Sequence, residues 1–165
     1  MASTPFRAAC CELRVTQFSE QPAMELVADA DAFNADTYGH ADATPMSSCE
    51  FDESEGGLFV VAYRDGVPAG CGGYRRHLAE PSGLTAELKR LFVRPSARRS
   101  GLARAILGEM ERRAFHAGYT RAILDVGSKQ PAAHALYESC GYSRIPGFSI
   151  YRDRPGNRAY GKDLE

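Results

Sequence analysis

Several features that would assign a function at once are missing from this sequence. No apolar stretch approaches the length of a membrane span, and the segment Met1 to Ala9 has no apolar run that could act as a signal peptide. Twenty basic residues against twenty-one acidic ones leave a formal net charge of −1, so no nucleic-acid or membrane-surface role is indicated. We therefore expect a cytoplasmic protein without a nucleic-acid or membrane partner.

The spacings of disulfide frameworks and metal sites are missing as well. The cysteines are odd in number, and none belongs to a Cys-x-x-Cys pair. The four histidines are scattered, without a second histidine four residues away or a cysteine at ligand spacing. We expect reduced thiols and no metal site. The cysteines are Cys10, Cys11, Cys49, Cys71 and Cys140.

What the sequence does have is ordinary globular composition. Hydrophobic residues make up 44% and charged residues 25% of the 165 positions. This length and composition predict a single domain over residues 1–165 with one sizeable core. No repeat, low-complexity tract or linker divides the chain.

The first half predicts a strand, a helix and a β-hairpin. Apolar and polar residues alternate from Cys10 to Phe18, as in a half-buried strand. A helix is predicted after the cap-type residue Ser19, because apolar residues then recur at helical intervals. The segment Asn34 to Ser54 predicts a short helix or a loop. The hairpin has Asp65-Gly66 as its turn, between the strands Leu58 to Tyr63 and Val67 to Tyr74.

The second half predicts strands alternating with helices. An apolar stripe of helical period runs from Leu102 to Ala117, and a second helix is predicted from Pro131 to Cys140. The complete order predicts one mixed α/β domain with a central sheet flanked by helices. The predicted strands of this half are Glu87 to Val93, Arg121 to Val126, Phe148 to Tyr151 and Ala159 to Leu164.

The most informative segment joins a predicted strand to a predicted helix. The stretch Leu88 to Gly108 carries six basic residues and no acid. Within it, Arg98-Arg99-Ser100-Gly101-Leu102-Ala103 lies at the helix start, where unpaired backbone N–H groups and the helix dipole favour a phosphate. Gly101 has no Cβ to block an anion, and Ala103 keeps the next turn small. The segment predicts a pyrophosphate site; the alternative is a solvated basic corner that caps the helix.

Other phosphate motifs do not fit. The P-loop pattern G-x-x-x-x-G-K-[ST] is absent. Gly70, Gly72 and Gly73 cluster, but Arg75 stands where a Rossmann motif would have its third glycine, and no helix signal follows. We interpret these glycines as strand flexibility or a close backbone approach.

With these motifs in place, the sequence resembles the GNAT superfamily of N-acetyltransferases. Residues 98–103 match the family signature [Q/R]-x-x-G-x-[G/A] for coenzyme A at each fixed position. The strand Glu87 to Val93 resembles the family's central strand, and Ala135 to Tyr142 resembles its closing L-Y-E-x-x-G-[F/Y] motif. One departure is Gln130, where many members carry Asn. The resemblance covers about Glu87 to Tyr151.

The resemblance implies acetyl-coenzyme A as the cofactor and a role for each matching residue. Glu87 is expected to be the general base, although members also use other residues or water, and Tyr137 the general acid near the cofactor sulfur. The phosphates are expected at Ser100, Gly101, Leu102 and Ala103, screened by Arg98, Arg99 and Arg104. The remaining expected cofactor contacts are the backbone of Leu91, Phe92 and Val93, which would bind the pantetheine arm, with Gln130 and Ala133.

The implied reaction is acetyl transfer by direct attack of a primary amine, on a small or amino-acid-like molecule. A protein or peptide acetyltransferase and a non-catalytic acyl-CoA-binding module are the alternatives. The acidic residues between Asp29 and Glu55 favour a cationic acceptor, whereas Arg75 and Arg76 favour a carboxylate; this choice stays open, as does a homodimer.

Overall fold

A computed structural model describes residues 11–165, so Cys10 and the segment Met1 to Ala9 lie outside the described residues. Within this range a mixed seven-stranded sheet has the order β1-β2-β3-β4-β5-β7-β6 and is flanked by three helices. The strands are β1 (Cys11–Val15), β2 (Leu58–Arg64), β3 (Val67–Arg76), β4 (Thr85–Val93), β5 (Arg121–Gly127), β6 (Ser143–Ile145) and β7 (Asn157–Asp163). The helices are α1 (Gln21–Tyr38), α2 (Leu102–His116) and α3 (Pro131–Ser139).

The sheet separates two hydrophobic cores, one on each face. Strand β2 contributes to both, because successive side chains of a strand point to opposite faces. Val60 and Ala62 pack in the core beneath α2 and α3, together with Ile106 and Met110. Phe59 packs with α1 in the second core. The fold is therefore the mixed α/β arrangement that the order of elements predicts.

The glycines of β3 allow α2 to lie directly on the sheet. A Cβ atom at Gly72 would stand 3.0 Å from side-chain atoms of both Ile106 and Met110. A Cβ atom at Gly73, on the other face, would stand 2.6 Å from the ring of Phe59. The interpretation of these glycines as sites of close approach is confirmed.

Strands β4 and β5 are paired at one end only, and this shapes the functional region. Their parallel register covers Thr85↔Arg121 to Glu87↔Ile123. Just beyond it, Arg90 has a φ of 59°, and β4 shifts register against β3. Such a bulge bends a strand and increases its twist. The two strands separate, and a cavity of about 420 Å³ lies between them.

The helix α1 differs from its predicted limits. Its N-cap is Glu20 rather than Ser19, and it continues to Tyr38 before the left-handed residue Gly39 ends it. The first part of the segment predicted as a short helix or a loop thus belongs to α1. The rest is irregular, with short 3-10 turns at Ser48–Phe51 and Glu53–Glu55.

The prediction of a strand from Phe148 to Tyr151 is wrong. The backbone amides of Arg152 and Arg154 donate to carbonyls three residues earlier, which forms consecutive turns. The Ser149 hydroxyl accepts from the amide of Tyr151 and competes with sheet pairing. The strand beside β7 is instead Ser143–Ile145, with Ser143 opposite Gly161.

Candidate active site

The loop between β4 and α2 has the backbone shape of an anion site. Gly101 has a φ of 78° and Arg99 a φ of 60°, so left-handed residues stand on both sides of Ser100. Successive amides in such turns converge on one point. Within residues 11–165, the backbone amides of residues 99–104 donate to no other group. Since residues 98–101 are exposed, these donors and the start of α2 face solvent.

The three arginines predicted to screen the phosphates, two in this loop and one on α2, differ in what they contact. Arg98 donates from Nε to the Val93 carbonyl at 3.0 Å, and its guanidinium lies 4.9 Å from the ring centroid of Phe33. Arg104 donates to Ser139 Oγ at 2.7 Å. Arg99 is exposed and has no side-chain partner among the described residues. Arg99 is therefore the guanidinium most available to a phosphate.

Residues from both faces of the sheet line the cavity between β4 and β5. Of the residues predicted to contact the cofactor or the reaction, Leu91, Gln130 and Tyr137 line it. Phe92 and Ala133 do not: the Phe92 side chain packs in the core beneath α1, and Ala133 packs against the opposite core. Val93 is likewise a core residue. The other lining residues include Asn34, Tyr38, His40, Asp42, Lys89, Arg90, Met110, Asp125, Tyr151 and Arg154.

Tyr137 is well placed to donate a proton. Its ring is buried against those of Tyr142 and Tyr160, with centroids 5.8 and 6.0 Å away. Burial raises the pKa of Tyr137, and the nearby charge of Asp125 acts in the same direction. The hydroxyl is thus held in its protonated form, and no group among the described residues forms a hydrogen bond with it.

Glu87 is buried and is held by side chains at the end of β3 and just after it. Its Oε2 lies 3.2 Å from Arg75 Nε and 3.6 Å from His77 Nδ1, and its Oε1 lies 3.4 Å from Arg75 Nη2. Only 6% of the side chain is exposed. Glu87 is not among the residues that line the cavity. A carboxylate that accepts hydrogen bonds from two nitrogens of one guanidinium has few acceptor positions left for another partner.

Lys89 joins three carboxylates at the centre of the site. Its Nζ lies 3.6 Å from Asp42 Oδ2 and 4.0 Å from both Glu87 Oε1 and Asp125 Oδ1. Its side chain is 5% exposed, so each of these charges is held in a medium of low dielectric constant. Burial alone would raise the pKa of Asp42, but Lys89, the hydrogen bonds from Thr44 and the charge of Arg90 hold it below its usual range.

Asp125 is the functional candidate that sequence reasoning missed. It lies on β5 and lines the cavity, and only 7% of its side chain is exposed. Burial raises its pKa, although Lys89 and the hydrogen bond from Ser149 oppose the shift. A signal was present in the sequence, because one acidic residue interrupts an otherwise apolar buried strand.

Several charged side chains that pointed to a cationic or to a carboxylate acceptor form ion pairs within the protein. They therefore do not decide between the two kinds of acceptor. Arg75 is paired with Glu50 and Glu87. Arg94 Nε lies 3.0 Å from Asp29 Oδ2, and Arg90 is paired with both Asp31 and Asp42. These side chains mostly hold α1 and the following loop to the sheet.

Three further observations concern the whole described range. Among residues 11–165, no group of three His, Cys, Asp or Glu side chains could hold a metal ion. The four cysteines in this range are free thiols. None of the helices described here has the length and apolar character required to cross a membrane.

Known proteins resemble this chain in sequence and in fold. The model of the acetyltransferase (GNAT) family matches residues 20–142. An IAA acetyltransferase of Azospirillum brasilense is 29% identical over 132 residues, which cover 80% of this chain and 84% of that protein.

The fold is shared with solved acetyltransferase structures. An acetyltransferase of the GNAT family from Staphylococcus aureus aligns with a TM-score of 0.73 and 15% identity, over 94% of this chain and 100% of that one. A GCN5-related N-acetyltransferase from Kribbella flavida aligns with a TM-score of 0.70 and 16% identity, over 93% of this chain and 98% of that one. Since the family model spans well over half of the sequence, this chain belongs to the GNAT family of acetyltransferases, enzymes that use acetyl-coenzyme A.

Proposed function

We propose that this enzyme transfers the acetyl group of acetyl-coenzyme A to the primary amine of a small or amino-acid-like molecule, by direct attack of the amine on the thioester. The observation that carries the proposal is the cavity between β4 and β5, which is lined by Leu91 of β4, by Gln130 at the start of α3 and by Tyr137. Enclosure between α1 on one face and α3 on the other favours an acceptor of limited size.

The cofactor path follows from the unpaired edge of β4. Among the described strands, β4 pairs beyond Glu87 with β3 alone, so the backbone of Leu91, Phe92 and Val93 has an edge open to another extended chain. The pantetheine arm is expected to bind there like an added strand, through main-chain hydrogen bonds. This accounts for Phe92 and Val93 being core residues: their backbone would bind the cofactor while their side chains support the sheet.

The phosphates are then expected at the amides of Ser100, Gly101, Leu102 and Ala103, at the start of α2. Gln130 donates to the Tyr38 hydroxyl at 3.2 Å and reaches the same cavity from the start of α3. Ala133, one turn further along α3, is expected to allow close approach of the cofactor through its small side chain. Arg99 would screen the phosphates.

Tyr137 is expected to protonate the departing thiolate. The sulfur of coenzyme A leaves as a thiolate whose ordinary pKa of about 8.5 is below that of the buried tyrosine, but a shared proton still stabilises the developing negative charge. The base that takes the amine proton is expected among the buried carboxylates, and Glu87 stays the prediction of the family resemblance. A cytoplasmic location likewise stays a prediction.

The proposal is tested by measuring coenzyme A release with a panel of small amines, amino acids, polyamines and peptides. We expect release with at least one small amine and an acetylated product of matching mass. If only peptides are acetylated, and free amines do not compete, the enzyme modifies proteins instead. Tight acetyl-coenzyme A binding without release on any amine would indicate a binding module.

A further inference from the structure

We infer that Asp125 is the carboxylate that takes the proton from the acceptor amine. The inference rests on the proposed function, and it assigns the base to β5 rather than to β4. It depends on three observations: the position of Asp125 in the cavity, the free acceptor positions on its carboxylate, and the groups that face it.

The position of Asp125 is set by the separation of the strands. The parallel pairing ends at Ile123, and Asp125 stands two residues further along β5, where the gap has opened. It points to the same side of the strand as Ile123, and its backbone is paired with Ala159 of β7 on the opposite edge. It thus lines the cavity that also holds Tyr137, the expected proton donor.

One oxygen of Asp125 has room for a substrate proton. Oδ2 accepts a hydrogen bond from Ser149 Oγ, which fixes the orientation of the carboxylate. Oδ1 lies 4.0 Å from Lys89 Nζ, beyond hydrogen-bond distance, and accepts from no donor among the described residues. A buried carboxylate oxygen that faces a cavity and lacks a donor is a suitable site for an ammonium N–H.

Burial raises the pKa of the Asp125 carboxyl in spite of the lysine and the hydroxyl that face it. Lys89 and Glu87 come from β4, Asp42 from the loop after α1, Tyr137 from α3, and Ser149 from the loop before β7. Burial outweighs the attraction of Lys89, so the carboxylate holds a proton more readily than an exposed aspartate does. A base is most effective when its pKa approaches the working pH.

Glu87 lacks two of these properties. Arg75 contacts both of its oxygens, and the residue does not line the cavity. Its Oε1 also lies 4.0 Å from Lys89 Nζ. Glu87 therefore acts as a positioning residue, which holds Lys89 and Arg75 in place.

The proton balance is complete with these residues. Asp125 takes one proton from the ammonium group, and the neutral amine attacks the thioester carbonyl, so that the C–N bond forms and the C–S bond breaks. The thiolate takes its proton from Tyr137, and the nitrogen gives up a second proton that restores the tyrosine. One proton is released to solvent from Asp125 in each turnover.

The test compares Asp125→Asn with the matched variant Glu87→Gln, using two amines. One amine has a pKa well above the assay pH, and the other is weakly basic and already neutral. For Asp125→Asn we expect kcat/KM to fall by about 100-fold or more with the first amine, a size typical of a lost general base. With the neutral amine we expect a much smaller loss. The acid limb of the pH profile should disappear in Asp125→Asn and persist in Glu87→Gln.

Calorimetry with acetyl-coenzyme A serves as the control for folding, and its dissociation constant should be the same in both variants. If Asn disturbs β5, Asp125→Ala supplies a second test, because added formate should restore part of its activity. Equal losses with both amines, or an acid limb that disappears in Glu87→Gln instead, would overturn the assignment. Acetyl-coenzyme A binding without turnover in the unaltered enzyme would contradict the proposed function itself.

Discussion

Two parts of the expected site hold charge in different ways. The loop between β4 and α2 offers backbone amides and an exposed arginine, all from one short stretch of chain. At the centre of the sheet, Asp42, Glu87, Lys89 and Asp125 are buried together and come from three distant segments. The first arrangement suits binding of an anion that arrives with its own charge. The second suits proton transfer, because burial raises the pKa of Asp125, one of its three carboxylates.

The largest effect is expected from adding charge at the loop. Gly101→Asp places a carboxylate where the phosphates are expected, and at about 4 Å two like charges near a protein surface repel by about 4 kcal/mol, or about 1000-fold in affinity. We expect the dissociation constant of acetyl-coenzyme A, measured by calorimetry, to rise by that order.

The matched control for this change is Gly101→Asn. Asn and Asp are similar in size, and both tolerate a left-handed backbone such as the φ of 78° at this position. A comparable loss in Gly101→Asn would mean that shape rather than charge is decisive there, and unaltered binding in Gly101→Asp would place the phosphates elsewhere.

A smaller loss is expected from Tyr137→Phe in the cavity. The change removes only the hydroxyl and keeps the ring that packs against Tyr142 and Tyr160. We expect kcat to fall by about 100-fold, as for a lost general acid, with little change in acetyl-coenzyme A affinity. Steady-state rates and calorimetry separate the two effects. Full turnover in the variant would remove Tyr137 from the mechanism.

A shift in pH dependence is expected from Lys89→Met. The Lys89 ammonium favours the ionised form of Asp125, so its removal raises the pKa of that carboxyl further. Because the base works only when ionised, the acid limb of kcat/KM should move to higher pH. The loss should be several-fold on that limb and should disappear at pH values above it. A uniform loss at every pH would indicate a structural effect instead.

The smallest effects are expected from replacing Arg99 or Arg104. Arg99 is exposed and has no side-chain partner within residues 11–165, whereas the Arg104 guanidinium already donates to Ser139 and Cys140. An exposed charge–charge contact contributes up to about 1 kcal/mol, or about 5-fold. We expect Arg99→Ala to weaken acetyl-coenzyme A binding by about that factor, and Arg104→Ala to change it less than 2-fold. The reverse order would mean that Arg104 leaves Ser139 when the cofactor binds.

The sequence could predict the loop because its determinants are local. A glycine, small residues and a helix start within six positions are enough to indicate amides that face solvent. The long helix α2 and the hairpin around Asp65-Gly66 were predictable for the same reason. Two errors also have local causes. The segment predicted as a strand from Phe148 to Tyr151 forms turns around Ser149, and the cap-type residue Ser19 precedes the true helix start.

The buried carboxylates could not be predicted in the same way. Asp125 and Lys89 are separated by a helix and a loop, and only the geometry of the sheet brings their charged atoms to 4.0 Å. Burial, which shifts the pKa of Asp125, is a property of the folded core. The family motif points to Glu87 on β4, but it contains no information on which carboxylate lines the cavity.

One consequence of the separated strands concerns the order of events in catalysis. Since residues from α1 and from α3 line the same gap, donor and acceptor can approach from opposite sides of the sheet and occupy it together. No cysteine of the described range lines this gap, and burial raises the pKa of Cys71 to about 12, so an acyl-enzyme on a thiolate is not favoured. Double-reciprocal plots at several donor concentrations should therefore intersect rather than run parallel.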